Sequence, residues 1–221
     1  MNPDIERSPA SRDADWGASV AEWLAGLFMA PVSGATVASY RAGLGGGFLD
    51  AIGGEPGCEA GVLRMRSALL TEDAPDLVAA RLGAAFTLLF DGVGGPATVS
   101  LYESAHVGGS GRLFGVPAGE MAALLRQFDV STDAAFREPA DHISVELALL
   151  ARLLRTDAGD EAAAALLDEH LLGWVPQFSD QCCDADRSGF YAGAACVLTG
   201  FLAGQRKALH LRTGVMPGPS A

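Results

Sequence analysis

Residues 138–154 read EPADHISVELALLARLL, and this stretch decides the fold. Ile143, Leu147, Leu150 and Leu154 recur every three to four residues, which is the spacing of one buried helix face and not the alternation of a strand. Glu138 and Pro139 stand where a helix can begin, because proline tolerates the first turn. A start at Pro139 places Asp141 in that turn, where the helix dipole favours negative charge, and sets His142 and Glu146 on one face. Two readings stay open here. The cluster is either an acidic mouth with an imidazole that recognises a cationic group, or a helix cap with a surface pair.

Outward from this stretch, helical periodicity continues in both directions. Upstream, Val20, Trp23, Leu24, Leu27 and Phe28 mark a helix that Pro31 stops, and Val62, Met65 and Leu69 mark another. Asp73-Ala74-Pro75 reads as a helix start whose carboxylate caps the Leu77, Val78, Leu82, Ala85, Phe86, Leu89 face. The pattern then fails from Asp91 to Val116, about 26 residues with seven glycines. Its apolar middle, Val99 to Tyr102, favours an ordered crossing over a floppy insert. A short helix follows Pro117, with Met121, Leu124, Leu125 and Phe128; Glu161 to Leu172 and Arg187 to Leu209 supply two more. The chain therefore reads as all-α, one compact domain of roughly eight to ten helices with one long ordered loop. Residues 1–15 read as a flexible lead-in, 16–210 as the helical domain and 211–221 as a flexible tail.

Composition narrows the function. At 221 residues, 49% apolar and 19% charged, the chain is an ordinary globular protein. A net charge of −12 opposes binding to a nucleic-acid backbone and suits a basic peptide or ligand. The start MNPDIERSPASRDAD has no apolar core of an export signal, so the expected location is cytoplasmic. Ser188 to Gln205 is uncharged but poor in bulky residues, which favours a buried helix over a membrane span. Cys58, Cys182, Cys183 and Cys196 lack metal-ligand spacing and read as reduced thiols. Gly92 to Ala97 mimics a dinucleotide fingerprint, but Pro96 removes an amide that a pyrophosphate needs. Ser110 lacks the second flanking glycine position of a nucleophile elbow and reads as a turn residue. The four histidines have no shared ligand spacing, so neither a metal nor another cofactor is expected.

Glu138-Pro139-Ala140-Asp141-His142 resembles the E-P-x-D-H motif of the TorD/DmsD family of cytoplasmic chaperones for twin-arginine-exported molybdoenzymes. Further pieces match in the same order: Leu27-Phe28 before Pro31, Leu89-Phe90 before a Gly/Pro loop, and Tyr102-Glu103-Ser104. His170, Trp174 and Phe178 resemble the family's H-x-x-x-W-x-x-x-F, and Phe190-Tyr191 its terminal F-Y helix. The resemblance covers about Trp16 to Leu209. It departs from the family in the glycine-rich stretch His106 to Arg112.

The resemblance implies an all-helical fold without catalytic turnover. It also implies binding of the signal peptide, the cofactor-free catalytic subunit of a molybdopterin oxidoreductase, or both, until the cofactor is inserted and export can proceed. A twin-arginine leader offers two guanidiniums beside an apolar stretch, so its receptor needs carboxylates beside a groove. Glu138, Asp141 and Glu103 are the candidate charges, and Leu89, Phe90, Tyr102 and Phe28 the candidate groove. Pro139, His142 and Ser104 complete the expected client site. The partner is the precursor subunit, bound by a monomer or homodimer without membrane insertion. Two other readings compete: an enzyme, metal-dependent or acting on a small molecule, that uses Asp141, His142 and Glu146, and a purely structural helical subunit.

Overall fold

The computed structural model describes residues 9–107, 115–130, 138–156 and 159–214. The expected turn at Ser110 and most of the polar stretch before Glu138 lie outside the described residues. Helices α1 (Pro9–Met29), α2 (Gly34–Arg41), α3 (Leu44–Gly53), α4 (Glu59–Leu69) and α5 (Pro75–Phe90) come first. They are followed by α6 (Glu103–His106), α7 (Val116–Gln127), α8 (Ile143–Leu154), α9 (Asp160–Leu166), α10 (Leu172–Ala185) and α11 (Phe190–Thr213). A π-helical stretch, Leu167–Leu171, joins α9 directly to α10, so Asp160 to Ala185 is one continuous helical run. Among the described residues there is no strand, and Tyr102 and His142 form an isolated bridge.

Helix α8 is the hub. Ile143, Leu147, Leu150 and Leu154 are buried as their spacing requires, but so are Val145, Leu149 and Leu153, because α1 lies along one side and α9 along another. A helix apolar around most of its circumference belongs in the middle of a domain. The Ser144 hydroxyl donates to the Ala25 carbonyl of α1 at 2.8 Å, tying the two helices together.

Helix α11 explains why Ser188 to Gln205 is rich in small residues. Its backbone meets α4 so closely that a Cβ on Gly193 would stand 2.6 Å from the Gly61 carbonyl. Absent side chains let the two helices touch, and Phe190, Val197, Leu198 and Leu202 fill the space on either side. No helix among the described residues is long and apolar enough to cross a membrane.

Several local expectations are corrected. Asp73 does not cap α5: Ala74 occupies the cap position without a side-chain bond, and the Asp73 carboxylate instead takes Arg81 at 2.5 Å. Leu77, placed on the buried face by periodicity, is 51% exposed. Helix α10 was hidden by Pro176 in its interior, yet Trp174, Phe178 and Cys182 are buried at four-residue spacing. The long crossing is ordered in its described part: a 3-10 turn at Gly95–Ala97, then buried Val99 and Leu101, then α6.

Candidate functional site

The crossing segment brings Tyr102, Glu103 and Ser104 against residues 138–142 by backbone pairing. The Glu103 amide donates to the Asp141 carbonyl at 3.0 Å, and the Ile143 amide to the Leu101 carbonyl at 2.9 Å. This pairing uses the residues that were expected to open α8. The helix starts at Ile143 instead of Pro139, and His142 is its cap, its Nδ1 accepting from the Ser144 amide at 3.1 Å. Asp141 therefore stands outside α8, and its carboxylate accepts the Ser104 amide at 2.9 Å, serving the start of α6.

Beneath this pairing lies a buried polar cluster. Glu103, Ser104, Asp141, His142, Glu146 and His170 are all at most 5% exposed. The surface-pair reading of His142 and Glu146 is thereby corrected: both point into the core. His170, on the π-helical stretch, meets the Glu103 carboxylate at 2.8 Å, and the Trp174 indole donates to Glu146 at 3.3 Å. A π-helical stretch changes the direction of successive side chains, and this one lies where His170 has to reach across to α6. His106 stacks on Trp174 and bonds the Ser100 carbonyl at 2.9 Å.

Burial sets the protonation states. It lowers His142 to about 4, against the opposing pull of Glu138 and Asp141, so the imidazole is neutral at physiological pH. Burial above all, then the nearby Glu103 carboxyl, pushes Glu146 well above the usual carboxylate range. The hydrogen bond to Glu103 raises His170. Burial lowers His106. Asp141 Oδ1, Glu146 Oε1 and Ser104 Oγ have no hydrogen-bond partner among the described residues. Such polar atoms are costly in a core and concentrate where structure serves function.

At the rim, the Tyr102 hydroxyl donates to the exposed Glu138 carboxylate. The Tyr102 phenol is raised by burial and by the negative charges of Glu138, Asp141 and Asp91. Asp91, exposed at the end of α5, adds its negative charge to the field at Tyr102, and no motif distinguishes it in the sequence. Pro139 is buried beside Glu138. Phe90 is half-buried and packs edge-on against buried Phe28 at 6.1 Å between ring centroids, with Phe178 stacked at 6.3 Å. Leu89, 4% exposed, reaches the wall of an apolar cavity of about 780 Å³ formed with Val78, Leu82, Ala85, Leu88 and Ala185. Of the four expected groove residues, only Leu89 lines this cavity; Phe28, Phe90 and Tyr102 lie elsewhere.

The structure thus gathers the expected acidic residues around Tyr102, but divides them into the exposed Glu138 and the buried Glu103 and Asp141. His170, Trp174 and Phe178, noted in sequence only as motif matches, complete the buried interior. Among the described residues no group of three His, Cys, Asp or Glu side chains is placed to hold a metal ion.

Residues 55–180 match the family model described as the nitrate reductase delta subunit. The chaperone protein TorD of Aeromonas salmonicida is 31% identical over 209 residues, 90% of this chain and 92% of that protein. Those of Photobacterium profundum and Shewanella loihica are each 30% identical, covering 81% and 87% of this chain and 87% and 91% of their own lengths. Relatives that are chaperones give no support to an enzyme built on Asp141, His142 and Glu146. Matched from α1 to α11 and across the paired crossing segment, the chain belongs to the TorD family of chaperones.

Proposed function

We propose that this chain is a cytoplasmic maturation chaperone for a molybdopterin-containing oxidoreductase. It binds the twin-arginine signal peptide of the precursor, the cofactor-free catalytic subunit, or both, assists cofactor insertion and delays export until the cofactor is in place. Kinship with TorD chaperones over most of the chain supports the maturation role. The observation that carries the peptide-binding part is the exposed Glu138 carboxylate, fixed by Tyr102 at the edge of the buried cluster.

In this reading Glu138 and Asp91 receive the paired guanidiniums, since a carboxylate held in one orientation loses little entropy on pairing with arginine. Half-buried Tyr102 and Phe90 offer aromatic faces between them, with Phe28 as the floor. The leader's apolar stretch runs past Leu89 into the cavity beside α5. Glu103, Ser104, Pro139, Asp141 and His142 act as positioning residues that keep the crossing segment against the start of α8.

The test mixes the purified chain with an oxidoreductase precursor carrying its leader, and with the same precursor in which both leader arginines are glutamine. Capture falls in the second case if the leader is read through its charges. Equal capture overturns the signal-peptide part and leaves only catalytic-subunit binding.

A further inference from the structure

Where α4, α10 and α11 meet, two thiols come together. Cys183, near the end of α10, and Cys196, in α11, have their sulfurs 3.6 Å apart, and both are partly exposed. The exposed Arg64 of α4 donates its Nη1–H to the Cys183 sulfur at 3.2 Å. The other two cysteines differ. Cys58 is buried against the Val197 carbonyl and pushed up to about 11 by burial, and Cys182 is fully buried and raised further still by burial.

We propose that Cys183 and Cys196 are a reversible disulfide-forming pair, oxidised by a low-molecular-weight disulfide. The sulfurs are in van der Waals contact, so bond formation needs a movement of about 1.5 Å toward the covalent separation of about 2.05 Å. Partial exposure admits the oxidant, and the guanidinium stabilises the thiolate that attacks. Burial and the neighbouring Cys196 sulfur hold the Cys183 thiol above its ordinary value, and Arg64 offsets part of that rise.

The exchange balances in two steps. The Cys183 thiolate attacks one sulfur of the small disulfide, breaking its S–S bond and expelling one small thiolate. The Cys196 thiolate then attacks the Cys183 sulfur of the mixed disulfide, forming the internal bond and expelling the second. The protein dithiol loses two electrons, and the two protons released by the cysteines go to the two small thiols.

The product would tie α10 to α11 across the joint between them. Ala185, Asp186, Arg187 and Ser188 of that joint form one wall of the apolar cavity, so the bond acts on the region proposed above to hold the leader's apolar stretch. The pairing chemistry itself does not depend on that proposal.

The experiment exposes the reduced full chain to oxidised glutathione, blocks the remaining thiols with iodoacetamide and maps the peptides without reduction. The expected result is a Cys183–Cys196 linked peptide, with Cys58 and Cys182 free of any link. The Cys196→Ser variant accumulates glutathione on Cys183. Arg64→Gln slows the first step a few-fold, because loss of the guanidinium lowers the thiolate population while greater nucleophilicity returns part of the rate; Arg64→Lys restores most of it. A stable glutathione adduct on the unmutated chain, a link through Cys182, or no reaction overturns the proposal.

Discussion

His170 and Glu103 meet at 2.8 Å in the core, linking the π-helical stretch before α10 to the four-residue helix α6 of the crossing segment. This contact couples two parts of the chain 67 residues apart, and each partner is nearly inaccessible to solvent. The rim that carries Tyr102 therefore rests on a buried pair.

Removing one member of that pair should be costly. His170→Ala leaves Glu103 buried without its partner, and a loss on the order of 3 to 5 kcal/mol is expected by chemical denaturation. The double variant His170→Phe, Glu103→Leu should recover a large part of it. A single-variant loss below about 1 kcal/mol would show that the pair does not anchor α6.

His142 gives the fold a pH dependence of known sign. Its folded value, about 4, lies below the unfolded value near 6.5, so the folded state holds fewer protons between them. This contribution is complete above about pH 6.5 and is lost as the pH falls toward about 4, on the order of 3 kcal/mol. His170 acts oppositely: its value is raised, so its contribution is complete below the unfolded value and is lost as the pH rises through the folded one. Asparagine at 142 can still cap Ser144 without titrating. Urea unfolding of His142→Asn should thus vary less between pH 6.5 and 4 than that of the parent chain, and identical profiles would remove His142 as the cause.

Glu146 separates charge from volume. Because burial keeps its carboxyl protonated well above the usual range, the neutral Glu146→Gln should change stability by less than about 1 kcal/mol. Glu146→Ala loses the Trp174 bond and opens a cavity, at about 2 to 4 kcal/mol. Equal losses in the two variants would mean that an ionised Glu146 matters.

The α4–α11 crossing depends on bare backbone. Gly193→Ala drives a methyl to 2.6 Å from the Gly61 carbonyl, and the helices must separate. A loss of about 1 to 3 kcal/mol is expected, visible as a lowered thermal midpoint. An unchanged midpoint would show that the two helices shift freely.

Much of this was legible from sequence because it is local. The faces Val62, Met65, Leu69 and Ile143, Leu147, Leu150, Leu154 follow from helical spacing alone, and the order of short motifs pointed to the family. What was not legible depends on contacts between distant segments. Asp141 looked like a first-turn residue of α8 until the Ser104 amide, 37 residues away, claimed its carboxylate. His142 and Glu146 at four-residue spacing suit a surface pair equally well, and only the crossing segment above them makes them interior. Asp91 follows a helix end like many surface acids, and its charge acts on Tyr102 because the chain returns to the end of α5, where the Val99 amide donates to the Leu89 carbonyl at 2.7 Å.

If Glu138 and Asp91 receive the paired arginines as proposed, isothermal titration of a synthetic leader peptide into the parent chain and into Glu138→Gln, Asp91→Asn reads the loss. Loss of two charge-assisted contacts predicts an affinity drop of about a hundredfold, with unchanged helicity and thermal midpoint. Unaltered affinity in that folded variant would show that these carboxylates do not bind the leader.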